Sequence, residues 1–170
     1  METKPKLRAG ARAFTLIELL IVVAIIGIIA AIAVPGLLRA RMSGNEASAI
    51  GSLRAINTAQ QNYSQQCNGY SGTLPELKTA GNYLSPDLTS GATVTKSGFN
   101  VTITGSGLLG TQATGCTVAG TNYYSTAEPL SASTGSRAFA TTEAGTIFFA
   151  SGIVAPTSAA ITAGTATPIQ

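Results

Sequence analysis

The chain has 170 residues, 45% of them hydrophobic, and a formal net charge of +3 from 10 basic and 7 acidic side chains. This length has room for one membrane helix and one modest domain. The sequence contains no histidine, which excludes Ser-His-Asp and Cys-His catalytic groups and zinc sites built on histidine. Two cysteines cannot supply a four-thiolate site. We therefore expect no enzyme, no cofactor and no metal ion.

A short basic segment, METKPKLRAGARA, opens the chain and holds four of the ten basic residues: Lys4, Lys6, Arg8 and Arg12. The rest of the chain, from Phe14 onwards, has no net charge. Its six basic residues are Arg39, Arg41, Arg54, Lys78, Lys96 and Arg137, and its six acids are Glu18, Glu46, Glu76, Asp87, Glu128 and Glu143. No basic stripe runs along it, so no specific nucleic-acid site is expected.

The basic segment leads into a long apolar run at residues 13–38, AFTLIELLIVVAIIGIIAAIAVPGLL. This run is long enough to cross a bilayer core of about 30 Å. The basic flank predicts that the amino terminus stays in the cytosol while the chain after Leu38 is exported. Three fates fit the pattern: a cleaved secretory signal, an uncleaved anchor, or cleavage on the cytosolic side before Phe14.

One acid, Glu18, interrupts the apolar run. With Thr15 it forms the pattern T-x-x-E, in which both side chains satisfy backbone donors at a helix start. If it is not a cap, an ionisable residue in a membrane span is a candidate functional residue, and its charge needs a partner. Further along, Pro35 beside Gly36 should bend or loosen the helix, and Gly27 adds a weak point.

The stretch RAFTLIELLIVVAIIGIIAAIAVPGL resembles the amino-terminal motif of type IV pilins and of the related pseudopilins of type II secretion. The resemblance covers about the first 40 residues. It implies that a prepilin peptidase cuts between Ala13 and Phe14 and methylates the new amine of Phe14. The residue before the cut is usually Gly in that family, whereas here it is Ala13, with Gly10 three residues upstream.

The same resemblance implies an assembly mechanism. The precursor would wait in the inner membrane as a single-pass protein, and an ATPase-driven machinery would pull it into a helical homopolymer on the cell surface. Glu18 would pair with the Phe14 amine of a neighbouring subunit. Gly27, Pro35 and Gly36 would let the helix melt or stretch in the filament.

The sequence after the span predicts an α+β fold, in which a long amino-terminal helix packs on a small antiparallel sheet. We expect a removed leader at residues 1–13, a helix at 14–66 and a globular head at 67–170. The helix has a transmembrane or filament-core half, 14–38, and an amphipathic half, 39–66. The apolar stripe of that second half comprises Ile50, Leu53, Ile56, Ala59 or Gln60, Tyr63 and Cys67.

The head begins with a Gly- and Pro-rich loop, in which Thr73 and Glu76 repeat the capping pattern at a short helical turn. Strand signals follow: ATVTK and FNVTIT flank Ser97-Gly98, TNYYSTA stands alone, and RAFATT and TIFFAS flank a turn at residues 143–145. They predict four or five antiparallel strands. The tail, APTSAAITAGTATPIQ, has few large side chains, so we expect it to be flexible or loosely docked.

Cys67 and Cys116 both fall on the exported side, where disulfides persist. We expect them to pair, with two separate buried thiols as the alternative.

A type IV pilus subunit is the function that fits this sequence best. A secretion pseudopilin is the closest alternative, although its calcium loop is not visible because Asp87 is the only aspartate. A membrane-anchored binding module is the alternative from another class.

Overall fold

The computed structural model describes residues 14–108, 116 and 119–169. The chain divides into two compact units, the first ending at Leu37 and the second beginning at Leu38. A single helix, α1 (Leu16–Cys67), crosses that boundary along the chain. The predicted leader at residues 1–13 lies outside the described residues.

The second unit is built on one antiparallel sheet. Its strands are β1 (Tyr70–Ser71), β2 (Thr93–Lys96), β3 (Phe99–Leu108), β4 (Ala119–Pro129), β5 (Arg137–Thr142), β6 (Ile147–Ser151) and β7 (Thr167–Pro168). The spatial order is β2-β3-β4-β5-β6-β7, and β1 pairs with β4. Two short helices, α2 (Glu76–Thr79) and α3 (Ser158–Thr162), and a 3-10 turn (Pro86–Leu88) complete the unit. The predicted α+β fold, with a long helix on an antiparallel sheet, is confirmed.

The head core lies between the amphipathic half of α1 and one face of the sheet. Side chains along the strands alternate between the two faces, so every second residue of β3, β4 and β5 points towards α1. The buried apolar residues that these elements contribute are Ala49, Leu53, Ile56, Ala59, Tyr63, Cys67, Phe99, Val101, Ile103, Tyr123, Ala127 and Phe139. The predicted helix stripe is buried at each of its positions except Ile50, which is partly buried against the same cluster.

Turn chemistry sets the strand boundaries. Ser97 and Gly98 have φ values of 50° and 75°, as a two-residue type I′ hairpin turn requires. Gly105 in β3 is needed for a different reason, because a Cβ there would lie 2.6 Å from the Cα of Gly72. The backbone that follows β1 can therefore approach β3 closely only at a glycine.

Two expectations about the head need correction. The sequence predicts four or five strands and a tail that is flexible or loosely docked, whereas the sheet has seven strands in the described residues and the tail forms α3 and adds β7 to the sheet edge beside β6. Thr157 caps α3, accepting from the Ala160 amide at 3.2 Å. Two-residue strands such as β1 and β7 are too short for an alternating sequence pattern to reveal them.

The predicted cap at residues 73–76 is also wrong. The helix α2 begins at Glu76, its N-cap is Pro75, and no side chain caps it. The Glu76 carboxylate instead accepts from the Ser71 hydroxyl at 2.8 Å and from the Gly72 amide at 3.1 Å. The helix therefore starts two residues later than the T-x-x-E pattern indicates, and its N-cap is Pro75 rather than Thr73.

Candidate functional site

The apolar half of α1 is the first candidate site, because its side chains have no cover in the single chain. All sixteen large hydrophobic residues from Phe14 to Leu38 are exposed, between 49% for Val34 and 81% for Phe14. Leaving each one in water forgoes about 1.5–3 kcal/mol of burial, so the segment as a whole forgoes tens of kcal/mol. By length and composition α1 can cross a membrane. This segment requires a bilayer or other protein chains around it.

Glu18 lies in the first turn of this helix and makes the capping contacts that its spacing predicts. The Thr15 amide donates to Glu18 Oε2 at 2.9 Å, and the Thr15 hydroxyl donates to the same oxygen at 2.7 Å. In return the Glu18 amide donates to Thr15 Oγ1 at 3.3 Å. These reciprocal bonds form a capping box, so the isolated subunit already holds the carboxylate at the helix start.

Cleavage at the predicted processing position would place a second charge beside this acid. Ala13 lies outside the described residues, whereas Phe14 directly precedes Thr15 and is 81% exposed. Cleavage before Phe14 would create a positively charged amine one residue from the N-cap. The acid and the amine would then share one exposed helix end, which suits contacts with a neighbouring chain.

The predicted softening positions lie inside a continuous helix. Pro35 lacks an amide hydrogen, so the carbonyl of Ala31 has no intrahelical donor from that position. A Cβ added at Gly27 or Gly36 would meet no atom within 4 Å. Packing within the subunit therefore does not explain these two glycines, and their role as softening positions stays a prediction.

The sequence interpretation missed an ion pair that joins the amphipathic half of α1 to the sheet. Glu46 is only 5% exposed and faces the start of β5. Its Oε1 accepts from the Ser136 amide at 2.8 Å, the Ser136 hydroxyl at 2.9 Å and the Arg137 amide at 3.2 Å. Its Oε2 accepts from Arg137 Nε at 3.0 Å and Nη2 at 2.8 Å. The signal in the sequence is an acid four residues before Ile50, at helical spacing from the predicted apolar stripe.

The surroundings of Glu46 stabilise its charged form. Burial raises the pKa of the carboxyl, but the hydrogen bonds from Arg137 and Ser136 outweigh burial and hold the pKa below its ordinary value. The Arg137 guanidinium also lies over the rings of Phe139 and Phe149, at 5.6 Å and 5.4 Å from their centroids. Because both ring faces attract the cation, Arg137 is held in place for the contact with Glu46.

Two buried amides on α1 complete the attachment of the helix to the sheet. Asn57 donates to Thr141 Oγ1 at 3.1 Å and to the Gly145 carbonyl at 2.9 Å, and it accepts from the Tyr123 hydroxyl at 2.8 Å. Burial raises the pKa of Tyr123 well above its ordinary value, so this hydroxyl remains a donor. Gln60 pairs with both backbone groups of Ser71 at 2.9 Å. These bonds fix β1 and the β5–β6 turn against α1.

The predicted disulfide is confirmed: Cys67, the last residue of α1, is bonded to Cys116. The two Cα atoms lie 5.7 Å apart, and 49 positions separate the residues in the sequence. The bond ties the end of the helix to the segment between β3 and β4. Within the described ranges 14–108, 116 and 119–169, no group of three or more His, Cys, Asp or Glu side chains could hold a metal ion.

One comparison with known proteins concerns the amino-terminal part of this arrangement. The family model described as the prokaryotic N-terminal methylation motif matches residues 8–34. The type IV major pilin protein of Myxococcus xanthus is 44% identical over 66 residues, which are 39% of this chain and 30% of that protein. The type IV wide pilus major component of Thermus thermophilus is 40% identical over 72 residues, 42% of this chain and 55% of that protein.

The chain thus spans less than two thirds of the length of either relative. No solved structure gives a significant match. The matched methylation motif covers the exposed helix start that carries Phe14 and Glu18. This motif and the two pilin relatives support a likeness of the chain to type IV pilins.

Proposed function

We propose that the chain is the structural subunit of an extracellular type IV pilus and that its activity is polymerisation through the apolar half of α1. The observation that carries this proposal is the exposure, between 49% and 81%, of sixteen large hydrophobic side chains, which are Phe14 and fifteen residues of α1. Before assembly the bilayer covers them, and in the filament the equivalent helices of other subunits do. Repeated contacts between unlike surfaces of identical subunits generate an open helical filament.

The proposal includes the processing steps. A prepilin peptidase cuts between Ala13 and Phe14 and methylates the Phe14 amine, and an inner-membrane machinery with an ATPase extracts the subunit. The methylation motif at residues 8–34 supports the processing and methylation steps. The basic leader supports an orientation with the amino terminus in the cytosol and the head outside. The names of both relatives favour a pilus over a secretion pseudopilus.

In this scheme Glu18 guides docking. Its carboxylate pairs with the Phe14 amine of the neighbouring subunit, because an unpaired charge among apolar helices is costly. The capping contacts with Thr15 hold the carboxylate ready at the helix start. The rival explanation is that Glu18 serves only as a cap.

Two matched variants separate these roles. Glu18→Gln keeps a hydrogen-bond acceptor for Thr15 but removes the charge, whereas Thr15→Val removes the hydroxyl contact and keeps the charge. We expect Glu18→Gln to abolish sheared surface filaments while the subunit still accumulates in the membrane, as measured by immunoblot. Thr15→Val should retain filaments. The opposite pattern, with filaments kept in Glu18→Gln and lost in Thr15→Val, would show that the acid is only a cap.

A further inference from the structure

The sheet face opposite α1 carries an open cavity of about 870 Å³. Strand alternation explains its floor: Thr104 and Asn122 point away from α1 because their neighbours Ile103 and Tyr123 are in the core. The tail helix α3 forms one wall through Ser158 and other small residues. The volume falls within the range of about 300–1,000 Å³ that small-molecule sites occupy.

Five polar side chains of the strands and the β5–β6 turn line this cavity without a hydrogen bond to the described residues, whereas the hydroxyl groups of the lining Tyr123, Tyr124 and Thr162 are bonded. Thr104, Ser106, Asn122, Thr142 and Glu143 line it, and none of their side chains bonds to any part of the chain that the structure describes. On the other side of the sheet, by contrast, the amide side chains of Asn57 and Gln60 on α1 are hydrogen-bonded within the core. The hydroxyl and amide groups of the cavity can therefore both donate to and accept from a ligand.

Two aromatic rings supply an apolar surface beside these groups. Tyr124 and Phe148 line the cavity and are both partly buried. The Tyr124 hydroxyl donates to the Pro156 carbonyl, and its ring packs against the buried Ala138 and Ala140. A fixed ring presents a negative π-face, which attracts the weakly positive C–H groups of a sugar ring.

Charge narrows the class of ligand. Glu143 is the only charged residue among the described residues that line the cavity. A phosphate, a nucleic acid or an acidic sugar would thus meet a carboxylate and no cation.

We propose that this outer cavity binds a neutral saccharide, which stacks on Tyr124 and Phe148 and hydrogen-bonds to Thr104 and Asn122. The site belongs to the single subunit, so it does not depend on polymerisation. In a filament whose core is formed by α1, the sheet face opposite α1 would remain accessible to glycans.

Saturation-transfer NMR on the full-length chain tests this directly. The probes are the methyl glycosides of glucose, galactose, mannose and N-acetylglucosamine, together with cellobiose, lactose and chitobiose. The detergent must be an alkyl amine oxide, because glycoside detergents carry a sugar headgroup that would compete. At least one probe should bind saturably with a Kd on the order of 1 mM, since the site is open and the ligand small.

A double variant and a matched control locate the binding. Thr104→Val with Asn122→Ala should weaken binding at least about tenfold, because two polar partners are lost. Thr93→Val removes an exposed strand threonine outside the cavity and should leave the Kd unchanged. Methyl glucuronide should not bind to the natural chain but should bind to Glu143→Gln.

Three outcomes would overturn the proposal. The first is that none of the neutral probes gives saturable transfer to the folded chain. The second is that the double variant binds as tightly as the natural chain. The third is that methyl glucuronide binds equally well with and without Glu143. None of them would bear on filament assembly, which the Glu18 and Thr15 variants test separately.

Discussion

Replacing Glu46 by alanine removes the carboxylate that joins α1 to the start of β5. Five hydrogen bonds from Ser136 and Arg137 lose their acceptor. Removing one partner of a buried ion pair costs about 3–5 kcal/mol. Here the Arg137 side chain is 42% exposed, so water can partly solvate the guanidinium once the carboxylate is gone. We therefore expect Glu46→Ala to lower the free energy of unfolding by about 2–3 kcal/mol.

The pH dependence of stability provides a second measure of the same contact. The pKa of Glu46 is lowered in the folded chain, so its stabilisation is fully present above the unfolded pKa of about 4.3. That stabilisation is lost as the pH falls through the lower, folded pKa, because the unfolded chain binds the proton first. Glu46→Gln cannot titrate, so its stability should decline less steeply over this acidic range than that of the natural chain.

Both effects can be measured by urea unfolding of the full-length chain in detergent with the disulfide intact. The near-ultraviolet circular dichroism of the tyrosines monitors the unfolding. Glu143→Gln is the matched control, because this acid lies in an exposed turn and should change stability by less than about 0.5 kcal/mol. An equal loss of stability in Glu46→Ala and Glu143→Gln would refute the reasoning. So would a Glu46→Gln variant with the same acid dependence as the natural chain.

Three further predictions concern the head and use the same unfolding assay. Replacing Cys67 and Cys116 together by serine should cost roughly 4 kcal/mol, because the bond restricts the unfolded chain over a 49-residue separation; an unchanged urea midpoint would contradict this. Asn57→Ala should cost about 2–4 kcal/mol, since the buried Tyr123 hydroxyl and the Gly145 carbonyl lose their side-chain partner, and a loss below about 0.5 kcal/mol would show that water replaces the amide. Gly105→Ala should destabilise by about 1–3 kcal/mol because its Cβ would clash with backbone, whereas Gly51→Ala, in open space on α1, should stabilise by about 0.5–1 kcal/mol. Equal effects at the two glycines would contradict the close approach.

The elements that could be predicted from the sequence are those with a local signal. The apolar stripe that includes Leu53 and Tyr63 has helical spacing, and it lies on the sheet as expected. The Ser97-Gly98 turn marks the β2–β3 hairpin because few dipeptides adopt its backbone angles. The capping pattern of Thr15 and Glu18 also forms, since its partners are three residues apart.

The missed features depend on partners that are distant in the sequence. Glu46 meets Arg137 across 91 positions, and Asn57 meets Thr141 across 84. No local pattern shows that an acid or amide on a helix stripe will find such a partner. Glu76 shows the converse. It fits the T-x-x-E capping pattern, but its carboxylate bonds to Ser71 and Gly72, which the local pattern does not indicate.

The most direct test of the central claim is the intact mass and amino-terminal sequence of this chain in filaments sheared from the cell surface. The account predicts a chain that begins at Phe14 and carries the mass of one added methyl group. A chain that retains residues 1–13, or one that begins after Ala33, would contradict it. The protein would then be an uncleaved anchor or a secreted domain, and Glu18 would be no more than a helix cap.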